Sequence, residues 1–215
     1  MLYPHNEATL AVLRRVPVIP VLTVKDVEDA LAQARALIAG GLTVLEITLR
    51  TPAAMGAVAA LAKTFPDSCI GAGTIVETDQ IQAAANAGAG FLVSPGATPR
   101  LVEAATRSPV PFLPGAATAS EAMALREQGF RALKFFPAEP AGGARYLASL
   151  AGPLPDLIFC PTGGIDAAKA TNYLALANVA CVGGSWMVAP GLIEAQELGK
   201  VEQLAREASA LGRRL

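Results

Sequence analysis

The sequence predicts a single domain over residues 1–215 with the α/β architecture of a (β/α)8 TIM barrel, preceded by a short N-terminal helix. Two observations carry this prediction. Short apolar runs recur eight times along the chain, and each is followed by a polar or glycine-rich turn and an alanine-rich segment. No linker, low-complexity segment or large insertion interrupts the alternation, which is typical of one domain built from repeated strand-helix units.

The elements follow one another at regular spacing. The N-terminal helix is predicted around residues 7–15. Strands are predicted at residues 18–24, 44–50, 69–75, 91–96, 111–116, 132–137, 157–161 and 179–183. Their starts lie roughly 20 to 26 residues apart, a spacing expected of parallel strands joined through helices by short loops.

Helical periodicity and helix ends support the segments between the strands. After the first strand, apolar residues from Val27 to Ile38 recur at intervals of three and four, and the pattern stops at Gly40. Thr118 and Glu121 have the spacing of a capping box, and Gly129 follows the helix that they begin. These features predict helices between consecutive strands.

An open doubly wound sheet is the alternative architecture. It would show fewer units and a Gly-x-Gly-x-x-Gly turn after the first strand, and residues 18–24 are not followed by one. A barrel of 215 residues has little chain left for lids or long loops around a binding site. We therefore hypothesise that a neighbouring subunit supplies what the short loops do not.

Composition excludes several classes of partner. The chain is 53% hydrophobic and 16% charged with a formal net charge of -1, which argues against disorder and against nucleic acid as a ligand. The apolar stretch near residues 173–193 contains glycine, proline and asparagine, and it fits a buried strand and turn better than a membrane span. Three widely spaced cysteines and no apparent secretory signal predict a cytoplasmic protein with reduced thiols.

The histidine content limits the chemistry. His5 is the only histidine, so the sequence predicts neither a His-rich metal site nor a Ser-His or Cys-His nucleophile. Catalysis would have to use lysine, carboxylates, arginine and backbone groups, without a metal or other cofactor.

Lys134 is the strongest candidate for a catalytic residue. It lies in the apolar run ALKFFPA, where burial disfavours the charged ammonium form. A neutral amine is a nucleophile, and lysines of this kind form Schiff bases with carbonyl substrates. The alternative is a lysine at a strand end whose head reaches water.

Glu46 is the second candidate. Glu46, Thr48 and Arg50 are alternate residues of one predicted strand and are expected to line one wall of the barrel. A carboxylate near Lys134 can exchange protons, and Arg50 can hold a substrate carboxylate in bidentate fashion. The alternative is an internal ion pair between Glu46 and Arg50 that only stabilises the fold.

Glycine-rich turns after several strands indicate where a ligand would bind. Gly71 and Gly73 precede Thr74 at the end of the third strand and permit close approach to the backbone. The turns at residues 161–165 and 183–186 follow the last two strands, where barrels of this kind hold phosphate. The alternative is a pair of tight turns without a ligand.

Seven motifs in order along the chain resemble one known family. They are VLEITLRT (44–51), GAGTIV (71–76), SPGAT (94–98), PFLPGAATASEA (111–122), ALKFFPAE (132–139), FCPTGGI (159–165) and VGGSWMV (182–188). Together they resemble the 2-dehydro-3-deoxy-6-phosphogluconate (KDPG) aldolases, class I enzymes of the Entner–Doudoroff pathway that often also cleave 4-hydroxy-2-oxoglutarate. The segment ahead of residue 18 does not contribute to the resemblance.

The resemblance implies a role for twelve residues. Lys134 would be the Schiff-base lysine and Glu46 the general acid and base. The other ten would bind substrate. Arg50, Gly73 and Thr74 would form the pocket for the pyruvyl carboxylate; Gly163, Gly164, Gly184 and Ser185 would bind phosphate; Pro95, Phe136 and Thr162 would line the pocket.

The resemblance further implies a metal-independent lyase that acts on a small phosphorylated keto acid, and a homotrimer. Three alternatives remain from the sequence. They are the aldolase for the galactonate epimer (KDPGal), which is disfavoured by Arg50; a barrel isomerase or epimerase with Glu46 as base; and a non-catalytic sensor of phosphorylated keto acids.

Overall fold

A computed structural model describes residues 3–212, so residues 1–2 and 213–215 of the predicted domain lie outside the described part. The described residues confirm the α/β fold. They contain nine parallel strands and ten α-helices that alternate along most of the chain. One further 3₁₀ turn covers Trp186–Val188.

The strands are β1 (Val18–Leu22), β2 (Val44–Thr48), β3 (Cys69–Gly73), β4 (Phe91–Val93), β5 (Phe112–Leu113), β6 (Gly115–Ala116), β7 (Ala132–Phe135), β8 (Ile158–Pro161) and β9 (Val182–Gly184). The helices are α1 (Asn6–Leu13), α2 (Val27–Ala39), α3 (Ala54–Thr64), α4 (Thr78–Asn86), α5 (Pro99–Thr106), α6 (Ala119–Glu127), α7 (Gly143–Ser149), α8 (Ala167–Leu174), α9 (Pro190–Glu194) and α10 (Leu198–Ser209). Each of the eight predicted strand regions therefore contains a strand.

The strands form two sheets. Six strands lie in the order β5-β4-β3-β2-β1-β9 and form a half-barrel, and three lie in the order β6-β7-β8. Every pairing within them is parallel, as helical crossovers require. Strands such as β2 are buried along their whole length, as expected where helices cover the outer face.

The predicted strand at residues 111–116 differs from the observed one. It is divided into β5 and β6 by Pro114, which has no N–H to continue a ladder. The carbonyl of Leu113 accepts from Ser94 N–H at 3.2 Å, whereas the carbonyl of Pro114 accepts from Lys134 N–H at 2.8 Å. The segment thus pairs with β4 through one half and with β7 through the other.

Two isolated bridges connect β8 and the residue after it to the segment from residue 179 into β9. They pair Phe159 with Val179 and Thr162 with Gly183. From 159 to 162 is three steps and from 179 to 183 is four, so the second segment carries one additional residue, as in a β-bulge. This extra residue explains why no continuous ladder forms there and why β9 begins later than predicted.

The N-terminal segment packs against the ends at which strands begin. The predicted N-terminal helix is confirmed as α1, and its first residue, Asn6, donates to Gly129 O at 2.8 Å and accepts from Arg131 N–H at 2.9 Å. The Tyr3 hydroxyl accepts from Phe112 N–H at 2.8 Å, and burial raises the pKa of Tyr3 to about 12. These contacts close the amino-terminal end of the strands, which leaves the opposite end for ligands.

The cysteines are not joined in disulfides. Cys160 and Cys181 are buried with their sulfur atoms 3.6 Å apart, whereas Cys69 at the start of β3 is half-buried and so lies less deep than the predicted core position. No helix within residues 3–212 has the length and apolar character needed to cross a membrane.

The contact between α2 and α10 gives a test of the packing. A Cβ on Gly40 would lie 2.5 Å from Ala205 Cβ and 2.7 Å from the Glu202 carbonyl oxygen, whereas one on Gly56 would have its nearest atom at 3.7 Å. Gly40→Ala should lower the free energy of unfolding by about 1 to 3 kcal/mol through overpacking. The matched change Gly56→Ala in α3 should be neutral or stabilising by about 0.5 to 1 kcal/mol. Urea denaturation of both variants checks this, and equal effects would contradict the packing described.

Candidate active site

Lys134 and Glu46 meet in the interior, although they come from different sheets. Lys134 lies in β7 and Glu46 in β2, and Nζ donates to Oε1 at 3.1 Å. The two side chains are only 6% and 5% exposed. The structure therefore brings together the two residues that the sequence singles out as catalytic candidates.

The electrostatics of the pair contain opposing contributions. Burial removes water from both charges, which costs several kcal/mol per ion in order of magnitude, and their mutual attraction offsets part of that cost. The Phe136 ring, whose centroid is 5.3 Å from Lys134 Nζ, adds a favourable cation–π contact. Transfer of one proton from Nζ to Oε1 would neutralise both groups at once.

Gly73 makes room for the Glu46 side chain. A Cβ at Gly73, the last residue of β3, would overlap the Glu46 carboxylate. The sequence predicts this glycine to admit a ligand to the backbone. Its observed contact is with Glu46, so a side chain here would push the carboxylate from its place beside Lys134.

The expectation for Thr48 and Arg50 is only partly correct. Thr48 is fully buried on the same strand as Glu46, and its hydroxyl donates to the Leu22 carbonyl at 2.8 Å, so it ties β2 to β1. β2 ends at Thr48, and Arg50 lies beyond it in an exposed turn. Glu46 pairs with Lys134, so the predicted alternative of an internal ion pair between Glu46 and Arg50 is wrong.

Arg50 instead contacts Thr74 at the rim. Arg50 Nε donates to Thr74 Oγ1 at 3.2 Å. Thr74 has a φ of 60°, a left-handed conformation that β-branched residues rarely adopt. Such strain occurs mainly at functional sites, where the surrounding structure enforces it. Arg50, Gly73 and Thr74 thus form one cluster beside Glu46.

Pro95 lies against the strand next to the one that carries Lys134, and Phe136 lies at the end of the Lys134 strand. Gly115, which pairs with Lys134, would have its Cβ in contact with the Pro95 backbone, so the turn after β4 lies against β6. Phe136 directly follows β7. Both are half-buried, and the Phe136 ring centroid lies 5.3 Å from Lys134 Nζ.

Thr162 has a buried hydroxyl without a partner. Its side chain lies against Gly183, and Oγ1 has no hydrogen-bond partner among the described residues. A buried polar atom of this kind is usually satisfied by a water or a ligand. Its own N–H donates to the Phe135 carbonyl at 2.9 Å, which places it beside the end of β7.

The two glycine turns lie at the same end. Gly163 and Gly164 follow Thr162 with φ angles of 107° and 77°. Gly184 ends β9 and lies against the Trp186 ring, and Ser185 is exposed directly after it. All twelve predicted site residues therefore lie within or just after strands, toward their carboxyl ends, where parallel folds place ligands.

A metal centre of protein ligands is not formed by the described residues. Within residues 3–212, no three His, Cys, Asp or Glu side chains lie close enough together to hold an ion.

Comparison with known proteins places the chain among relatives along most of its length. The family model described as Aldolase: KDPG and KHG aldolase matches residues 10–204. The KHG/KDPG aldolase of Escherichia coli (strain K12) is 46% identical over 198 residues, 92% of this chain and 93% of that protein. These similarities confirm the resemblance drawn from the motifs.

Solved structures of KDPG aldolases are also similar to this chain. KDPG aldolase from Legionella pneumophila, with pyruvate captured at low pH as a covalent carbinolamine intermediate, has a TM-score of 0.91 and 46% identity, covering 94% of this chain and 98% of that one. A native KDPGal structure has a TM-score of 0.80 and 29% identity, covering 90% and 92%.

The pairing of Lys134 with Glu46 predicts non-additive effects on stability. Lys134→Met leaves Glu46 buried without its partner and should lower the free energy of unfolding by about 3 to 5 kcal/mol. The double variant Lys134→Met/Glu46→Gln removes both charges and should be more stable than Lys134→Met alone. Denaturant unfolding of the single and double variants measures this coupling, and strictly additive losses would contradict it.

Proposed function

The chain belongs to the KDPG and KHG aldolase family, and we propose from that premise which of its residues perform the reaction. It is a lyase, a class I aldolase. We assign it the cleavage of 2-dehydro-3-deoxy-6-phosphogluconate to pyruvate and D-glyceraldehyde 3-phosphate, and of 4-hydroxy-2-oxoglutarate to pyruvate and glyoxylate. The observation that supports this most directly is the buried contact of 3.1 Å between Lys134 Nζ and Glu46 Oε1.

The first step is imine formation at Lys134. Nζ transfers a proton to Glu46 and attacks the C2 carbonyl of the substrate to give a carbinolamine. Loss of water, with a proton returned to the leaving hydroxyl, gives a protonated imine. The buried position of both groups favours this route, because the proton moves within the pair and no charge remains unpaired.

The second step is carbon–carbon cleavage. Glu46, acting through a water, removes the proton of the C4 hydroxyl, and the C4 oxygen forms the carbonyl of the leaving aldehyde. The C3–C4 bond breaks, and its electron pair passes to the imine to form an enamine. Protonation at C3 and hydrolysis then release pyruvate and regenerate Lys134. The imine supplies the electron sink that a metal supplies in other aldolases, so we expect a chelator to leave activity intact.

The remaining residues bind the two ends of the substrate. Arg50, Thr74 and the Gly73 backbone hold the pyruvyl carboxylate; the contact between Arg50 and Thr74 supports this assignment. Gly163, Gly164, Gly184 and Ser185 hold the phosphate, while Pro95, Phe136 and Thr162 line the space between. The unpartnered hydroxyl of Thr162 supports a polar ligand there.

Two other enzymes are less well supported. The KDPGal aldolase has only 29% identity to this chain, against 46% for relatives named for KDPG, and comparing rates on the two C4 epimers decides between them. An isomerase or epimerase with Glu46 as base would leave Lys134 unmodified, so covalent trapping separates it from an aldolase.

We also propose how the two sheets are joined into one domain and how the protein assembles. Residues 3–212 form one domain, and the two sheets close into one (β/α)8 barrel through the bridges between residues 159–162 and residues 179–183 and through Pro114. The amide of Ala180, which donates to the Phe159 carbonyl at 3.0 Å, should then exchange slowly with solvent; rapid exchange would contradict closure.

The protein is proposed to be a cytoplasmic homotrimer, and sedimentation as a 22.0 kDa monomer would contradict the trimer.

Covalent trapping tests the assignment of Lys134 and Glu46. Borohydride reduction with pyruvate should leave a permanent mass increase on Lys134. Lys134→Ala should show no turnover and no adduct, whereas Glu46→Gln should lose about 10² to 10⁴ in kcat and should still be labelled at Lys134, although more slowly. Lys200→Ala serves as the control with normal labelling. An adduct on Lys25, Lys63, Lys169 or Lys200 in peptide mapping would overturn the assignment.

A further inference from the structure

The loop that follows β8 is held on one side by the segment that follows β7. The Thr162 carbonyl accepts from Ala138 N–H at 2.8 Å, and the Gly163 carbonyl accepts from Glu139 N–H at 3.1 Å. Two consecutive carbonyl oxygens therefore point toward the backbone of residues 138–139.

The third carbonyl of the loop depends on a side chain. Gly164 O accepts from Lys169 Nζ at 2.9 Å. The three carbonyl oxygens of the loop thus all accept hydrogen bonds from within the protein. Gly163 and Gly164 have left-handed backbone, and in turns of this kind successive N–H groups can face an anion.

Lys169 is itself held in place. Its Nζ lies 3.5 Å from Glu139 Oε2 and 3.7 Å from Asp166 Oδ2. The other oxygen of Glu139 accepts from the Tyr173 hydroxyl at 2.5 Å, and Lys169 and Tyr173 lie one helical turn apart on α8. Burial, followed by the hydrogen bond and charge of Glu139, raises the pKa of Tyr173, so its hydroxyl remains a donor at neutral pH.

Glu139 also packs directly on the loop. Gly164 has a left-handed backbone, and a Cβ there would lie 2.9 Å from Glu139 Cβ. We name Glu139, Lys169 and Tyr173 the loop support. None of these residues is among the twelve that the sequence predicts for the site.

We propose that Lys169, anchored by Glu139 and Tyr173, is a positioning residue that keeps the Gly164 carbonyl turned away from bound phosphate and so sets the preference for phosphorylated over unphosphorylated substrate. This inference rests on the phosphate site of the proposed function. A carbonyl oxygen carries partial negative charge, so a carbonyl that rotated toward phosphate would repel it and turn the neighbouring N–H groups away.

A direct contact of Lys169 with phosphate is less consistent with its surroundings. One ammonium faces the two carboxylates of Glu139 and Asp166, so the cluster offers no excess positive charge to an anion. Its short hydrogen bond is to the loop carbonyl. The role that fits these contacts is to fix the backbone.

Lys169→Met tests the inference because it keeps the length of the side chain and removes the donor. KM for the phosphorylated substrate should rise about tenfold, the cost expected for losing one charged hydrogen bond. kcat should stay within about twofold, and the constants for 4-hydroxy-2-oxoglutarate, which carries no phosphate, should change by less than about twofold. Equal losses on both substrates, or no change on either, would overturn the inference.

Glu139→Gln distinguishes a role of Lys169 in positioning the loop from a direct effect of nearby charge on the bound phosphate. It removes a negative charge near the phosphate, so a direct role for charge predicts a lower KM for the phosphorylated substrate. The positioning role predicts a higher KM, because Lys169 loses its anchor. Lys200→Met, which removes an exposed lysine on α10 bonded to Gln203, is the control and should leave both substrates unaffected.

Binding of inorganic phosphate keeps the test independent of turnover. If the wild-type protein cleaves neither substrate, the proposed function fails, and calorimetric titration with phosphate still decides the inference. Lys169→Met should raise the Kd for phosphate about tenfold, and an unchanged Kd would overturn the inference. Thermal unfolding checks that each variant is folded, and Tyr173→Phe replaces Lys169→Met if the latter is not.

Discussion

The buried contact between Lys134 and Glu46 is the interaction on which the rest of the site depends. It joins strands from two sheets, and the two buried charges form an ion pair at 3.1 Å. Gly73 leaves space for the carboxylate, and the Phe136 ring covers the ammonium. A pair of this kind is expensive to bury, so it is better explained by chemistry than by stability.

The parallel architecture explains why distant residues converge. Parallel strands all end at one edge, and the contacts of Tyr3 and Asn6 close the opposite edge. Glu46 and Lys134 lie on the strands themselves, where the sheet holds them rigidly. The residues proposed to bind the ligand lie at strand ends and in the turns beyond, where glycine and strained backbone allow N–H groups to face a ligand. The proposed catalytic groups thus lie within strands, and the proposed binding groups lie at or beyond the strand ends.

The strand regions and the two catalytic candidates are predictable from the sequence. Both follow from runs of apolar residues and from the spacing of these runs, which can be recognised without knowledge of contacts between distant segments. Apolar runs located every strand region, and a lysine and a glutamate inside such runs stood out as catalytic candidates. The division of residues 111–116 at Pro114 was predictable in principle from its missing N–H. The position of Arg50 beyond its strand was not, since a difference of two residues at a strand end lies below the resolution of pattern reasoning.

Other features depend on contacts between segments far apart in sequence. The role of Gly73 is visible only once Glu46 is known to pass over it, and the φ of 60° at Thr74 has no sequence signature in a threonine. The sequence likewise does not predict the link from Glu139 to Lys169 and Tyr173. The spacing of four between Lys169 and Tyr173 was visible, but their common partner 30 or more residues earlier was not.

The most direct measurement of the central claim is a crystal structure of the protein soaked with pyruvate. The account predicts continuous density from Lys134 Nζ to C2 of pyruvate, with the Glu46 carboxylate within hydrogen-bond distance of the new bond. Pyruvate bound without a covalent link, or bonded to another lysine while the contact between Lys134 and Glu46 remains intact, would contradict it.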